Sequence, residues 1–133
     1  MANETAKKFI NALHKLETDR DLETIVGLFS KDCEINNVVT VDHDNQKTDA
    51  GKFWQAYRDS FGKVKSTFRN EIIIENRAAL EWTTTGTSSE GNQFKYEGVS
   101  ILEIDGDKIT RFFAYFDPNK LGRQIVEEKG QTA

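Results

Sequence analysis

The chain has 133 residues, of which 37% are hydrophobic, 30% charged and 11% aromatic, and it carries a formal net charge of −4 at pH 7. One domain of this length buries about two-thirds of the surface its unfolded chain would expose, and so many rings exclude a disordered polymer. The acidic balance excludes the basic face by which nucleic-acid binders displace counterions, and no run reaches the ~18 apolar residues of a membrane span.

Met1-Ala2-Asn3-Glu4 lacks the basic and apolar runs of a signal peptide, so a cytoplasmic location is expected. Ala6, Phe9, Ile10, Leu13 and Leu16 recur at helical spacing with Lys7, Lys8, Asn11 and Lys15 opposite, which predicts an amphipathic first helix. Asp21 then opens a second short helix carrying Leu22, Ile25, Val26, Leu28 and Phe29. From Cys33 to Val41 the period becomes two, with Cys33, Ile35, Asn37, Val39 and Val41 on one face, which predicts a strand. The polar run Asp42 to Lys47 is turn-prone, and Thr48 or Asp49 can cap a third helix bearing Phe53, Trp54, Tyr57 and Phe61.

The rest reads as sheet. Strands are expected around Phe68 to Ile74, from Ala78 to Thr87, from Gln93 to Ile104 and from Lys108 onward, with a hairpin loop over Ser88 to Asn92 and a tight turn at Asp105-Gly106-Asp107. Asp117-Pro118 begins a short C-terminal helix, because aspartate caps and proline tolerates the first helical position, and 127–133 is expected to be a frayed tail. No linker or repeat divides the chain, so residues 1–133 make one domain. The order predicts an α+β class: a cone-shaped α+β barrel with three N-terminal helices packed on a strongly curved, mainly antiparallel sheet. Such a cone has an interior suited to a small apolar ligand.

The last strand carries most of the functional information. Alternation puts Thr110, Phe112, Ala114 and Phe116 on one apolar face and Ile109, Arg111, Phe113 and Tyr115 on the other. Arginine and aromatics together suit a subunit contact, so a homodimer through the face carrying Arg111, Phe113 and Tyr115 is expected. Among the rings, Trp54, Tyr57, Trp82, Phe94, Tyr96, Phe112 and Phe116 can line the interior, with Trp82 and Phe112 the first choices, although most such rings in any protein are ordinary core.

Asn37 should point inward among apolar neighbours, where a ligand oxygen or the protein's own backbone must satisfy its amide. Asp117 can act as an acid or base at the pocket end, but a helix cap is the simpler reading. His43 is conceivable as a rim proton shuttle, yet it sits in a polar loop and reads more simply as solvated. Neither His43 nor His14 has a metal-ligand partner at suitable spacing, so no metal and no cofactor is expected. Cys33, the single cysteine, cannot close an intrachain disulfide and has no evident base, so it reads as core packing.

The stretch Asp21-Leu22-Glu23-Thr24-Ile25-Val26-Gly27-Leu28-Phe29 with Asp32-Cys33, the pairs Glu81-Trp82 and Gly86-Thr87, and Asp105 to Arg111 running into Tyr115-Phe116-Asp117 resemble, in this order, the SnoaL-like branch of the nuclear transport factor 2-like superfamily. The resemblance runs from Phe9 to about Gln124. It implies a cystatin-like cone, a deep pocket and frequent homodimerisation, but no single chemistry, because the superfamily spans isomerases, cyclases, epoxide hydrolases, dehydratases and plain binding domains. Against the ketosteroid isomerases, the proton-shuttle position is Asn37, the tyrosine position Leu13, and the second acid falls near Ser100. An amide cannot shuttle a proton near neutral pH, so that mechanism is not expected. Against the limonene epoxide hydrolases, Trp82, Thr84 and Ala114 stand where an arginine and two aspartates belong. The expected ligand-binding set is therefore Asn37, Trp54, Tyr57, Trp82, Ser100, Phe112 and Phe116. The expected function is binding of a small, mostly apolar molecule, with isomerase- or polyketide-cyclase-like turnover left open; the alternative is a non-catalytic dimerisation domain whose cavity its own side chains fill.

Overall fold

The computed structural model describes residues 2–39 and 49–124. Its elements are α1 (Ala2–Asp19), α2 (Leu22–Val26), β1 (Phe29–Asn37), α3 (Ala50–Asp59), β2 (Phe61–Ile74), β3 (Arg77–Ser88), β4 (Gln93–Asp105) and β5 (Lys108–Phe116), followed by a helical stretch, 118–124. The strands form one five-stranded sheet in the order β1-β5-β4-β3-β2. β1 runs parallel to β5 and every other pair is antiparallel, so the sheet is mixed. Its edges, β1 and β2, do not pair with each other, so the α+β cone is an open sheet covered by helices and not a closed barrel. Among the described residues no helix is long and apolar enough to cross a membrane.

The helices begin where side chains can receive the free amides of the first turn. Asp21 accepts from the Thr24 backbone N–H (3.2 Å) and Asp49 from that of Lys52 (3.2 Å), each such cap stabilising by about 1 kcal/mol. α1 lays Phe9, Leu13 and Leu16 against the sheet along one stripe. The centre of the packing is a knot of rings from four elements: Phe9 of α1, Phe29 of β1, Phe53 and Trp54 of α3, and Phe112 of β5, with centroids 4.9–6.4 Å apart. Edge-on ring pairs of this kind add about 0.5–1.5 kcal/mol each beyond their buried area. Cys33 is buried in the same hydrophobic core.

Several element boundaries differ from the sequence reading, for identifiable reasons. Phe29 and Phe61, expected on helices, are the first residues of β1 and β2, because Gly27 and Ser60 end the helices before them. β1 therefore starts earlier than Cys33 and ends at Asn37, where a turn over Val38-Val39 begins; Val41 and the polar run Asp42 to Lys47 lie outside the described residues, as do Ile125 and the tail 127–133. β2 begins seven residues before Phe68.

Two bulges redirect faces that simple alternation assigns wrongly. On β5 the two steps from Ile109 to Arg111 match one step, Ile104 to Glu103, on β4, leaving Thr110 as the extra residue. Ile109 is thereby turned onto the inner face, fully buried opposite Ile104, while Thr110 is half-buried with its hydroxyl donating to the Glu103 carbonyl (3.2 Å). On β2 the extra residue is Arg69, between the pairs Phe68 to Trp82 and Asn70 to Glu81. Beyond it Ile73 faces in, and Ile72 and Ile74 face out, 62% and 65% exposed.

Gly98 lies directly across from Trp82 on the inner face, and a Cβ there would stand 2.3 Å from the Tyr115 carbonyl and 2.6 Å from the indole ring. The bare backbone lets the indole lie flat over β4. Gly98→Ala is expected to lower stability by about 1–3 kcal/mol and to change the Trp82 fluorescence, read together in a urea titration; an unchanged midpoint and emission maximum would show that the ring does not need that space.

Candidate functional site

The inner face of the sheet can be read row by row from its register. One row is polar: Ser66 of β2, Thr84 of β3 and Tyr96 of β4 stand side by side. The next carries Phe68, Trp82, Gly98 and Phe116, and the one beyond it Leu80, Ser100, Ala114 and Asn37. Between these rows and the helices lies a cavity of about 460 Å³. α3 closes it with Phe53, Trp54 and Tyr57, and Leu121 contributes from the helical stretch after β5.

All seven residues of the expected ligand-binding set, Asn37, Trp54, Tyr57, Trp82, Ser100, Phe112 and Phe116, line this cavity. The Trp82 indole N–H donates to the Ser100 hydroxyl (2.9 Å), and its ring meets Tyr96 and Phe116 at 5.2 and 6.2 Å. Asn37 is half-buried, and its Oδ1 accepts from the Val39 backbone N–H (2.8 Å), the backbone alternative left open for its amide, so its carbonyl end secures the turn after β1. Phe94 does not line the cavity and packs on Phe61 (4.8 Å). The Trp54 indole nitrogen is buried without an acceptor among the described residues.

Of the two catalytic candidates, the described residues include Asp117 alone, and it does not line the cavity. Asp117 is exposed, and its Oδ1 accepts from the backbone of Asn119 (2.9 Å) and Lys120 (3.3 Å), which makes it the cap of the helical stretch it precedes. His43 lies outside the described residues. His14 is exposed and turns its Nε2 to the Ser66 carbonyl (2.9 Å). Among the described residues no three His, Cys, Asp or Glu side chains gather as a metal site would require.

Sequence reasoning missed Glu17. It is 3% exposed, and it accepts hydrogen bonds from the Ser66 backbone N–H (2.9 Å), the Ser66 hydroxyl (2.6 Å) and the Tyr57 hydroxyl (2.8 Å). Ser66 Oγ in turn lies 2.8 Å from Thr84 Oγ1. The signal was present: Glu17 falls four residues after Leu13 and eight after Phe9, on the apolar stripe of α1, where a carboxylate has to find donors. Burial, and next the negative charge of Glu17, hold the Tyr57 phenol well above the ordinary tyrosine range; burial, then Glu17, raise Tyr96 likewise. Both phenols therefore keep their protons at neutral pH and work as hydrogen-bonding groups, not as bases. Chemically the site is a ring-walled hollow with one hydroxyl-rich side backed by a carboxylate that does not itself reach the cavity.

The SnoaL-like domain profile matches residues 6–112. No curated protein matches the chain. Among solved structures, TerC co-crystallised with polyporic acid is similar at 21% identity, with 94% of this chain and 98% of that one covered and a TM-score of 0.76. A putative isomerase from Rhodopseudomonas palustris is similar at 14% identity over 92% and 96% of the two chains, with a TM-score of 0.74, and an LEH-like epoxide hydrolase of M. tuberculosis at 16% identity over 95% and 90%, with a TM-score of 0.70. At these identities the likeness is one of fold.

Replacing Glu17 by leucine is expected to cost about 1–3 kcal/mol or more in urea denaturation, since it strands the buried Ser66 N–H without an acceptor. A loss below about 0.5 kcal/mol, the scatter of neutral surface changes, would show that the carboxylate does not anchor this side of the cavity.

Proposed function

The chain belongs to the SnoaL-like domain family, and on that premise we propose that it binds a small, mostly apolar molecule in the hollow between its helices and sheet. The observation that carries this reading is the wall itself: about 460 Å³ of space lined by rings such as Trp54, Trp82, Phe112 and Phe116, within the usual size of a small-molecule site. Among the described residues, no carboxylate or imidazole lines that wall, and its phenols are held protonated. Holding a guest is the activity such a surface supports best. Isomerase- or cyclase-type turnover would need a proton carrier, and Asn37, at the shuttle position of the ketosteroid isomerases, offers an amide. The TerC structure with polyporic acid lends weight to the reading, because it places a small organic compound with a protein of the same fold.

The outer face of the sheet supports a second, compatible proposal, a homodimer. Arg111 lies within 3.8 Å of Glu34 and 3.7 Å of Glu103 and stacks over Phe113, leaving Phe113 and Tyr115 in contact (4.5 Å) and Tyr115 48% exposed. The rows Phe113-Ile101-Ala79-Ile72 and Tyr115-Val99 extend this apolar surface across four strands. A surface of that kind favours cover by a second copy.

A neutral fluorescent probe, N-phenyl-1-naphthylamine, is expected to bind the protein saturably at one site per chain. Ala114→Phe, which fills the hollow from β5, should weaken binding at least about tenfold (~1.4 kcal/mol) while cooperative unfolding is retained. Linear, unsaturable uptake, or equal affinity in a folded Ala114→Phe protein, would remove the cavity as the site. In sedimentation velocity the protein should run at twice the chain mass, and the double change Tyr115→Asp with Ile72→Asp should return it to one; a wild-type monomer would refute the dimer.

A further inference from the structure

The hydroxyl-rich side of the cavity has a fixed proton count. Glu17 can only accept, so Tyr57 gives its proton to Glu17 Oε2 (2.8 Å), and Ser66 gives its own to the same oxygen (2.6 Å). With the Ser66 proton spent, the 2.8 Å contact between Ser66 Oγ and Thr84 Oγ1 requires Thr84 to be the donor. Three hydroxyls are thus polarised in one direction, toward the buried carboxylate. Their hydrogens are committed, and the lone pairs of Tyr57 and Thr84, both in the cavity lining, remain to accept.

Tyr96 is the opposite case. It stands next to Thr84 in the same row, is 5% exposed and lines the cavity, yet its hydroxyl has no hydrogen-bond partner among the described residues. The hydroxyl is not one of the sealed unpaired atoms, which among the described residues are Trp54 Nε1 and Arg58 Nε, so it opens on the hollow and can donate to a guest there. Two acceptor oxygens and one uncommitted O–H lining the same hollow form a complementary seat for a group that donates one hydrogen bond and accepts another.

We propose that the ligand is an apolar, ring-sized molecule whose polar end is a neutral hydroxyl, donating to Tyr57 or Thr84 and accepting from Tyr96. This rests on the reading of the cavity as a binding site and adds the class of molecule it selects. An ether or ketone can use Tyr96 but leaves the two acceptors facing it unpaired. At this seat a carboxylate meets those same lone pairs with the charge of Glu17 behind them, so any hold on an anion falls to Lys52 elsewhere in the cavity lining and not to the hydroxyl side. Both are discriminated against by groups already in place.

Four compounds on one skeleton test this by calorimetric titration of the 133-residue chain: naphthalene, 1-naphthol, 1-methoxynaphthalene and 1-naphthoate. Naphthalene reports on the hollow alone. The expected order puts 1-naphthol about tenfold tighter than the methyl ether, the consequence of one net hydrogen bond plus relieved acceptors, with 1-naphthoate weaker still. Thr84→Val and Tyr96→Phe, which keep the shape of the wall, should each reduce the advantage of 1-naphthol over naphthalene several-fold while leaving naphthalene itself unchanged. If naphthalene binds but the ether or the carboxylate equals 1-naphthol, or if both variants keep the full preference, the hydroxyl seat is overturned and the cavity stands. If none of the four binds, the cavity fails as a site and the seat falls with it.

Discussion

A single buried carboxylate joins the two layers of this protein. Glu17 sits on the apolar stripe of α1, and its two oxygens collect a backbone amide and a hydroxyl from β2 and a phenol from α3. Three separate elements are thereby set at fixed distances from one another. An ionised group removed from water costs several kcal/mol unless donors replace its hydration, so this arrangement tolerates little movement of its partners. The polar row Ser66, Thr84 and Tyr96 follows from it, since the first of these residues is the one that Glu17 holds.

The rings complete what the carboxylate begins. Phe9, Phe29, Phe53, Trp54 and Phe112 fill the end of the interior where β1 and β5 meet the helices. Past them the wall thins to Ser100 and Ala114, whose small side chains leave room that larger ones would occupy. The hollow is the space between a ring-packed end and a hydrogen-bonded side. Its composition explains why binding fits better than turnover: the apolar part offers area, the polar part offers direction, and the groups that titrate near neutrality are not in its wall among the described residues.

Much of this was legible in the residues themselves. The stripe of α1, the caps Asp21, Asp49 and Asp117, the turn at Asp105-Gly106-Asp107 and the α+β order all follow from period and turn chemistry, and the SnoaL-like family was visible in the motifs that those elements carry. The placement of Trp82, Phe112 and Phe116 on the cavity wall followed from strand parity, and that of Ser100 from the family resemblance. What escaped was anything decided by register. A bulge at Thr110 reverses the face of Ile109, and one at Arg69 turns Ile72 and Ile74 outward, because one extra residue shifts every later side chain to the other side and leaves no compositional mark. Glu17, Ser66 and Thr84 escaped for a related reason: they lie far apart in sequence and acquire meaning only when α1, β2 and β3 are brought together.

The central claim is that an apolar, accessible hollow exists between the Trp82 and Phe116 side of the sheet and α3, with a ring-lined surface to receive a guest. Diffraction from crystals pressurised with xenon addresses it directly, because xenon enters apolar cavities and is located by its own scattering. The account predicts a xenon peak in contact with Trp54, Trp82 or Phe112 in otherwise unchanged protein. Rings or neighbouring side chains occupying that volume, with no xenon bound there, would contradict it.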